Sequence, residues 1–360
     1  MSVAACVPPP FGYLLCNAMA DHYLSFLGAM RPEPAAPPPV LLAPLSGVTD
    51  LHMRRIAQGC GASAVVSEMV AAAEFARGQA ESRLRAEGAG VAPHIVQLAG
   101  CAPGPMAEAA RLAVASGADV IDVNMGCPAK VVTGGASGSA LMRDLDHAAR
   151  LLAAVREAVA VPVTVKMRLG WDDANRNAAA LARRAQALGL NAVTVHGRTR
   201  QQFYKGQADW TAIRAVVESV RLPVIANGDV TSLDQARACL AASGAAGVMV
   251  GRAALGRPWL VGEIAAALAG RPVMPLSREE RASLACGHYQ GLLALYGTEM
   301  GLRHARKHLA AYVAEAGPGA LSPPDRTQLL TTTDPALALH LLRRAFLDPA
   351  GAAASVGAAA

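Results

Sequence analysis

The chain has 360 residues, of which 53% are hydrophobic and 17% charged, with a formal net charge of +6. That apolar share excludes an intrinsically disordered chain and suffices for one large core plus a small appendage, while the mild positive charge is compatible with a polyanionic partner. Seven cysteines at positions 6, 16, 60, 101, 127, 239 and 286 lack paired or metal-like spacing, which argues against a disulfide framework, predicts no metal site and points to the reducing cytoplasm.

In chain order, residues 1–39 are rich in Pro and Ala and lack the charged start of a secretory leader. They are expected to form a disordered extension, an overlong start with Met19 and Met30 as internal alternatives. Eight short apolar runs follow, at 40–43, 64–67, 94–97, 120–123, 163–166, 192–195, 223–226 and 247–250. Stretches of helical period lie between most of them, at 105–116, 145–159, 176–188, 210–220 and 233–242. Uniformly apolar strands joined by helical crossovers imply parallel pairing with both sheet faces covered. The expected architecture over 40–270 is an α/β (β/α)8 TIM barrel. An open doubly wound sheet is the alternative, but no Gly-rich dinucleotide fingerprint opens a first helix. Beyond the Pro-bounded connector Arg271-Pro272-Val273-Met274-Pro275 the period is purely helical, giving a C-terminal all-α domain at 271–347 and a loose tail at 348–360. No apolar run reaches membrane-spanning length, so no membrane association is expected.

Barrel enzymes keep their chemistry just past the carboxyl ends of their strands. Here those positions hold Pro44-Leu45-Ser46-Gly47, Glu68, Gln97, Asn124 with Cys127, Lys166 with Arg168, His196 with Arg198, Asn227-Gly228-Asp229 and Gly251-Arg252. A polar or glycine-bearing group at every strand end suits a flat heteroaromatic cofactor with a phosphate tail. The seventh and eighth ends are where barrels often bind phosphate on backbone N–H groups, and Arg252 could clamp it. A barrel-lining lysine needs an anionic partner, so Lys166 faces either an anionic cofactor or a carboxylate such as Glu68 or Asp122. Gln97 offers both donor and acceptor, matching the mixed edge of a flavin pyrimidine ring. The loop from Arg198 through Arg200, Phe203, Tyr204 and Lys205 mixes cations and aromatics, a composition suited to backbone contacts and base stacking or to a merely solvated loop. In the helical domain, Arg303, Arg306 and Lys307 share one helical face as a candidate stripe for a polyanionic partner. Residues 271–360 nevertheless hold nine Lys+Arg against seven Asp+Glu, so affinity would come from placement rather than bulk charge.

Taken together, Ala43-Pro44-Leu45-Ser46-Gly47-Val48-Thr49-Asp50, Asn124-Met125-Gly126-Cys127-Pro128-Ala129-Lys130, Gly138-Ser139-Ala140-Leu141-Met142, Val165 to Trp171, His196-Gly197-Arg198-Thr199-Arg200, Asn227-Gly228-Asp229 and Gly251-Arg252 resemble the tRNA-dihydrouridine synthases. The Gly-Cys-Pro-Ala-Lys version is similar to the bacterial B-type branch. The resemblance implies a flavoenzyme that saturates the C5=C6 bond of specific D-loop uridines in tRNA, with NADPH reloading FMN. Position 17 is the target that the B-type branch suggests. By the same resemblance, FMN is held by Pro44, Leu45 and Ser46 under the ring, Gln97 and Lys166 at its pyrimidine edge, and Asn227, Gly228, Asp229, Gly251 and Arg252 around the phosphate. Cys127 is the implied proton donor to C5, because a thiol of ordinary pKa, about 8.5, is mostly protonated at neutral pH. Asn124 is implied at the uracil edge, with His196 and Arg198 beside the flavin phosphate, the uracil carbonyls or the RNA backbone.

A folded tRNA would have to turn its uridine outward to reach an enclosed flavin, and the helical domain, with Arg303, Arg306 and Lys307 as its candidate RNA-binding stripe, is the expected grip on the rest of the RNA. Leu45-Ser46, His52-Met53 and Leu255 depart from the family's more usual residues, and none of them alters the acid or the phosphate grip. Two rival readings are an FMN-dependent barrel oxidoreductase acting on a small-molecule pyrimidine and a non-catalytic RNA-binding or regulatory protein. No obligate protein partner is evident.

Overall fold

The computed structural model describes residues 13–28 and 36–348. Eight strands close into one parallel barrel in sequence order: β1 (Val40–Leu42), β2 (Ala64–Ala71), β3 (Ile95–Ala99), β4 (Val120–Met125), β5 (Val163–Arg168), β6 (Ala192–His196), β7 (Val224–Asn227) and β8 (Gly247–Val250), with β8 pairing back to β1. The expected α/β barrel is the fold, and the open sheet is excluded by the β1–β8 pairing. The strands are buried along nearly their whole length because the outer helices cover the face away from the barrel interior. Leu151, Leu152 and Val155 of helix Leu145–Ala158 belong to that covering layer.

The amino-terminal mouth of the barrel is plugged. Helix Tyr13–Gly28 falls inside the stretch expected to be disordered, and its Tyr23, Phe26 and Leu27 are buried against Leu41, Ala64, Ile95, Val120 and Ala192 at the strand starts. The spacing 23, 26, 27 puts one apolar face on the floor, and burial outweighs the weak periodicity of the flanks. The rest of the expected extension, and the tail beyond Asp348, lie outside the described residues.

The helices Arg278–Tyr296, Thr298–Ala316, Pro323–Thr331 and Pro335–Leu347 form a second core around Tyr289, Leu309, Tyr312, Leu342 and Phe346, which Trp259 joins from the barrel side. The first of them starts at a capping box, with Ser277 and Glu280 satisfying each other's backbone N–H groups. It lies so close to the barrel that a Cβ on Gly291 would stand 2.3 Å from the His52 ring. Among the described residues no helix is long and apolar enough to cross a membrane.

A buried network joins the two parts. Asp50 caps helix Leu51–Gly59 through Oδ1, which accepts from the N–H groups of His52 and Met53. Its Oδ2 meets Nε2 of His288 at 3.0 Å and Nε2 of His308 at 3.7 Å, while His288 Nδ1 contacts the Tyr312 hydroxyl at 2.9 Å. Burial alone would raise the Asp50 pKa, but the His288 imidazole, its hydrogen bond and His308 hold the carboxyl well below the usual range. Burial, helped by the neighbouring His288, pushes His308 down to about 3, so that imidazole is neutral at physiological pH.

Candidate active site

The carboxyl-terminal mouth collects the candidate residues because in-register parallel pairing places strand ends side by side. Gln97 lies opposite Asp122, Asn124 opposite Lys166, Arg168 opposite His196 and His196 opposite Asn227. Cys127 is half-buried on a turn leaving β4, and three side chains brace that turn. Asn124 Oδ1 accepts from the N–H groups of Gly126 at 3.1 Å and Cys127 at 3.0 Å. The Ser139 hydroxyl donates to the Cys127 carbonyl at 2.8 Å, and Arg168 Nε donates to the Gly126 carbonyl at 2.8 Å. Arg168 also donates from Nη1 to the carbonyls of Thr199 and Phe203, both at 2.9 Å, so one guanidinium ties the cysteine turn to the 198–206 loop.

Gly138 packs under this turn with φ +61°, and a Cβ there would lie 2.8 Å from the Cys127 carbonyl and 2.9 Å from Val132 Cγ1. Gly138→Ala is expected to cost about 1–3 kcal/mol of stability from strain and overpacking. Thermal melts and the rate of Cys127 alkylation by a neutral maleimide check this: a lower midpoint with faster alkylation is the expected result, and an unchanged pair would refute it.

Asn124 is less free than a substrate contact would be. Its Nδ2 donates to Gln97 Oε1 at 2.7 Å, Gln97 Nε2 donates to Asp122 Oδ2 at 2.7 Å, and Asp122 Oδ1 accepts from the Thr164 hydroxyl at 2.6 Å. The two amides thus form a chain across the mouth, each with hydrogen-bonding capacity left over. Burial raises the Asp122 pKa, opposed by the Thr164 and Gln97 bonds and by Lys166.

Lys166 stands partly open in the same mouth, its Nζ donating to Asn227 Oδ1 at 3.1 Å, while Asn227 Nδ2 donates to the Met249 carbonyl. Burial, and next the charge of Arg168, lower its pKa to about 8 against the pull of Asp122. Among the described residues it forms no ion pair. Of the two carboxylates that were alternatives for it, Glu68 accepts from the Gly47 N–H and Asp122 accepts from Thr164 and Gln97.

On the β7–β8 side, Gly228 and Asp229 both have positive φ, at 121° and 55°. The backbone N–H groups of Gly228, Asp229 and Gly251 find no acceptor among the described residues, and exposed Arg252 stands beside them. Burial favours a protonated Asp229, but Arg198 and the Ala208 N–H hold its carboxyl below the usual range. Three free amides, an arginine and a neutralised carboxylate suit a phosphate monoester.

Arg198, expected at the RNA or the flavin phosphate, is 1% exposed. Its five N–H groups go to Lys205 O, His196 Nε2, Asp229 Oδ1, Gly206 O and Asp229 Oδ2, leaving none for RNA. It ties residues 205–206 to Asp229 after β7. Burial and then the surrounding cations Lys166, Arg168, Arg198 and Arg252 push His196 well below its ordinary pKa, so the neutral ring accepts the Arg198 contact at 3.3 Å.

Pro44 and Leu45 are half-buried and Ser46 exposed on the loop after β1. Tyr204 is 40% exposed, with Arg252 4.8 Å and Arg168 5.6 Å from its ring centroid. Arg303 and Arg306 are exposed on helix Thr298–Ala316, and Lys307 Nζ donates to the Gly47 carbonyl at 2.6 Å, strapping the helical region to the loop that carries Pro44 to Ser46.

The sequence model of the dihydrouridine synthase family matches residues 41–338. The chain belongs to that family. Dihydrouridine synthase family relatives agree along most of their length. A probable tRNA-dihydrouridine synthase of Rhodobacter capsulatus is 52% identical over 315 residues, covering 86% of this chain and 95% of that one. One from Rhizobium leguminosarum bv. phaseoli is 52% identical over 296 residues, 82% of this chain and 91% of the relative. The tRNA-dihydrouridine synthase B of Xanthomonas axonopodis pv. citri is 46% identical over 280 residues, 77% and 84% of the two chains. The bracing roles of Ser139, Arg168 and Arg198 and the partners of Asp50 do not follow from position at strand ends. Only Asp50 carried a signal, as an N-cap residue before an amphipathic helix.

Proposed function

We propose that this protein is a flavin-dependent tRNA-dihydrouridine synthase that reduces the C5=C6 bond of D-loop uridines, using FMN reloaded by NADPH, in the cytoplasm. The observation that carries the reading is Lys166, a lysine without an ion pair in a barrel mouth that also presents Cys127 and three free backbone amides. Family membership and the names of the relatives supply the reaction class.

In this reading Lys166 and Gln97 meet the polar edge of the flavin, Pro44 to Ser46 lie under its ring, and the amides of Gly228, Asp229 and Gly251 with Arg252 take its phosphate. When bound, the flavin supplies the hydride for uracil C6. Cys127 supplies the proton for C5, from a turn held by Asn124, Ser139 and Arg168. The amide chain of Asn124 and Gln97 orients the base edge with its remaining capacity, and the helices carrying Arg303 and Arg306 grip the tRNA outside the mouth.

Nucleoside mass spectrometry on tRNA from a dihydrouridine-deficient strain carrying this gene tests the proposal. Restored dihydrouridine supports it and maps the position. A yellow, soluble protein that restores none would move the reading to a small-molecule FMN oxidoreductase.

Lys166 adds a pH dependence. Its pKa of about 8 without ligand is raised by a ring carbonyl that accepts from the ammonium, so flavin binding takes up a proton above that pH. Flavin affinity is expected to be constant below pH 8 and to weaken above it, by up to about tenfold per pH unit. The Lys166→Met form should bind weakly at every pH, without that slope. Fluorescence titrations from neutral to alkaline pH check this, and a wild-type curve that stays flat would refute it.

A further inference from the structure

The rim on the cysteine side carries a pair of cations that the site described above does not use. Arg143 ends the 3-10 turn Gly138–Arg143, and its guanidinium lies 5.0 Å from the Trp171 ring centroid. Arg200 approaches the same ring at 4.8 Å. Among the described residues neither guanidinium forms an ion pair or a side-chain hydrogen bond, and Arg200 Nε is buried without a partner. The nearest acids in sequence are occupied, Asp144 by the N–H groups of Asp146 and His147, Asp172 by Asn175 and Asp173 by Arg176.

Two like charges gathered at one neutral ring repel each other, and an aromatic face attracts each without neutralising either. Such a locus is stabilised by an anion. It is also rigidly mounted. Arg200 N–H donates to the Gly170 carbonyl and Gln201 N–H to that of Trp171, so the two rim loops are pinned together. The turn bearing Arg143 contains Ser139, which holds the Cys127 carbonyl, and the strand leading to Trp171 contains Arg168, which holds that of Gly126. The pair therefore keeps a fixed position relative to Cys127, apart from the amides and Arg252 beyond β7 and β8.

We propose that Arg143, Trp171 and Arg200 form a clamp for an RNA backbone phosphate beside the uridine that enters the mouth. The inference rests on the functional reading above and deepens it. A phosphodiester neighbouring the turned-out base is the anion that must pass this rim, and Trp171 orients both guanidinium groups for it. The other phosphate source at this mouth is the nicotinamide dinucleotide, and the experiment separates the two.

The test uses flavin-loaded protein and an unmodified tRNA transcript, with binding measured from about 50 to 200 mM KCl. The double variant Arg143→Ala/Arg200→Ala is expected to bind roughly tenfold more weakly, with a salt slope shallower by about one unit. Its rate of flavin reduction by NADPH without tRNA should match the wild type. Arg143→Gln alone, on an exposed side chain, should lose part of that unit and serves if the double variant folds poorly. Unchanged tRNA affinity and slope in both variants would overturn the clamp, as would a raised KM for NADPH with tRNA binding intact, which assigns the pair to the dinucleotide. These failures differ from failure of the functional reading, in which the wild-type protein itself forms no dihydrouridine.

Discussion

Cys127→Ala is expected to lower dihydrouridine formation by about 10²- to 10⁴-fold, the range for loss of a positioned general acid. The thiol sits on a turn whose two carbonyls and two N–H groups are held by Ser139, Arg168 and Asn124, and none of those bonds uses the sulfur. Alanine should therefore leave the turn, the flavin content and the NADPH-driven reduction of the flavin unaltered. Single-turnover assays with pre-reduced enzyme read the oxidative half alone. Equal rates for both proteins would remove Cys127 from the chemistry, whereas a variant that also lost its flavin would make the residue structural.

The second large effect concerns the joint between barrel and helices. Asp50→Ala removes a helix cap and leaves His288 and His308 buried without their carboxylate. A loss of about 2–4 kcal/mol is expected, roughly 1 kcal/mol of it from the cap and the rest from buried imidazole nitrogens left without their acceptor. Trp259, stacked on Tyr312 at the same joint, gives a fluorescence reporter for urea melts. The joint should also be acid-labile. Native His308 titrates near 3 and His52 near 4, against about 6.5 unfolded, so the unfolded chain binds more protons and stability falls as pH drops below about 6.5. Asp50 adds its part only lower, because its contribution is complete above the unfolded value near 3.9 and is lost as pH falls below it. His308→Gln should flatten the first part of this profile. A wild-type midpoint that does not change between pH 7 and pH 4 would refute the account.

The barrel was legible because doubly buried strands leave short apolar runs that no half-exposed strand would leave. The ends of those runs misled where polar residues stay inside. β2 was expected to stop at Ser67, yet it pairs on to Ala71 through a register shift between Val66 and Met69, and β5 continues to a buried Arg168. Position at strand ends was enough to bring Cys127, Lys166, Asn227 and the Gly251 turn into one candidate mouth. It could not separate Arg198 from Arg200. Two residues apart in one motif, they differ only in what the fold sets against them: Asp229 against the first, the Trp171 ring against the second. The Asp50 network was beyond sequence reading, since His288 lies 238 positions away and a histidine in a helix announces no partner.

The helix Tyr13–Gly28 has a further consequence. A barrel divides its labour between two ends, chemistry at one and durability at the other, and here the durable end is a separable stopper rather than part of the eightfold wall. Cutting it away would wet Leu41, Ile95 and Val120 without touching the opposite mouth. The truncated enzyme should turn over at the full rate in the cold and clump on warming, so a loss of yield from a shortened gene would be a failure of solubility rather than of catalysis.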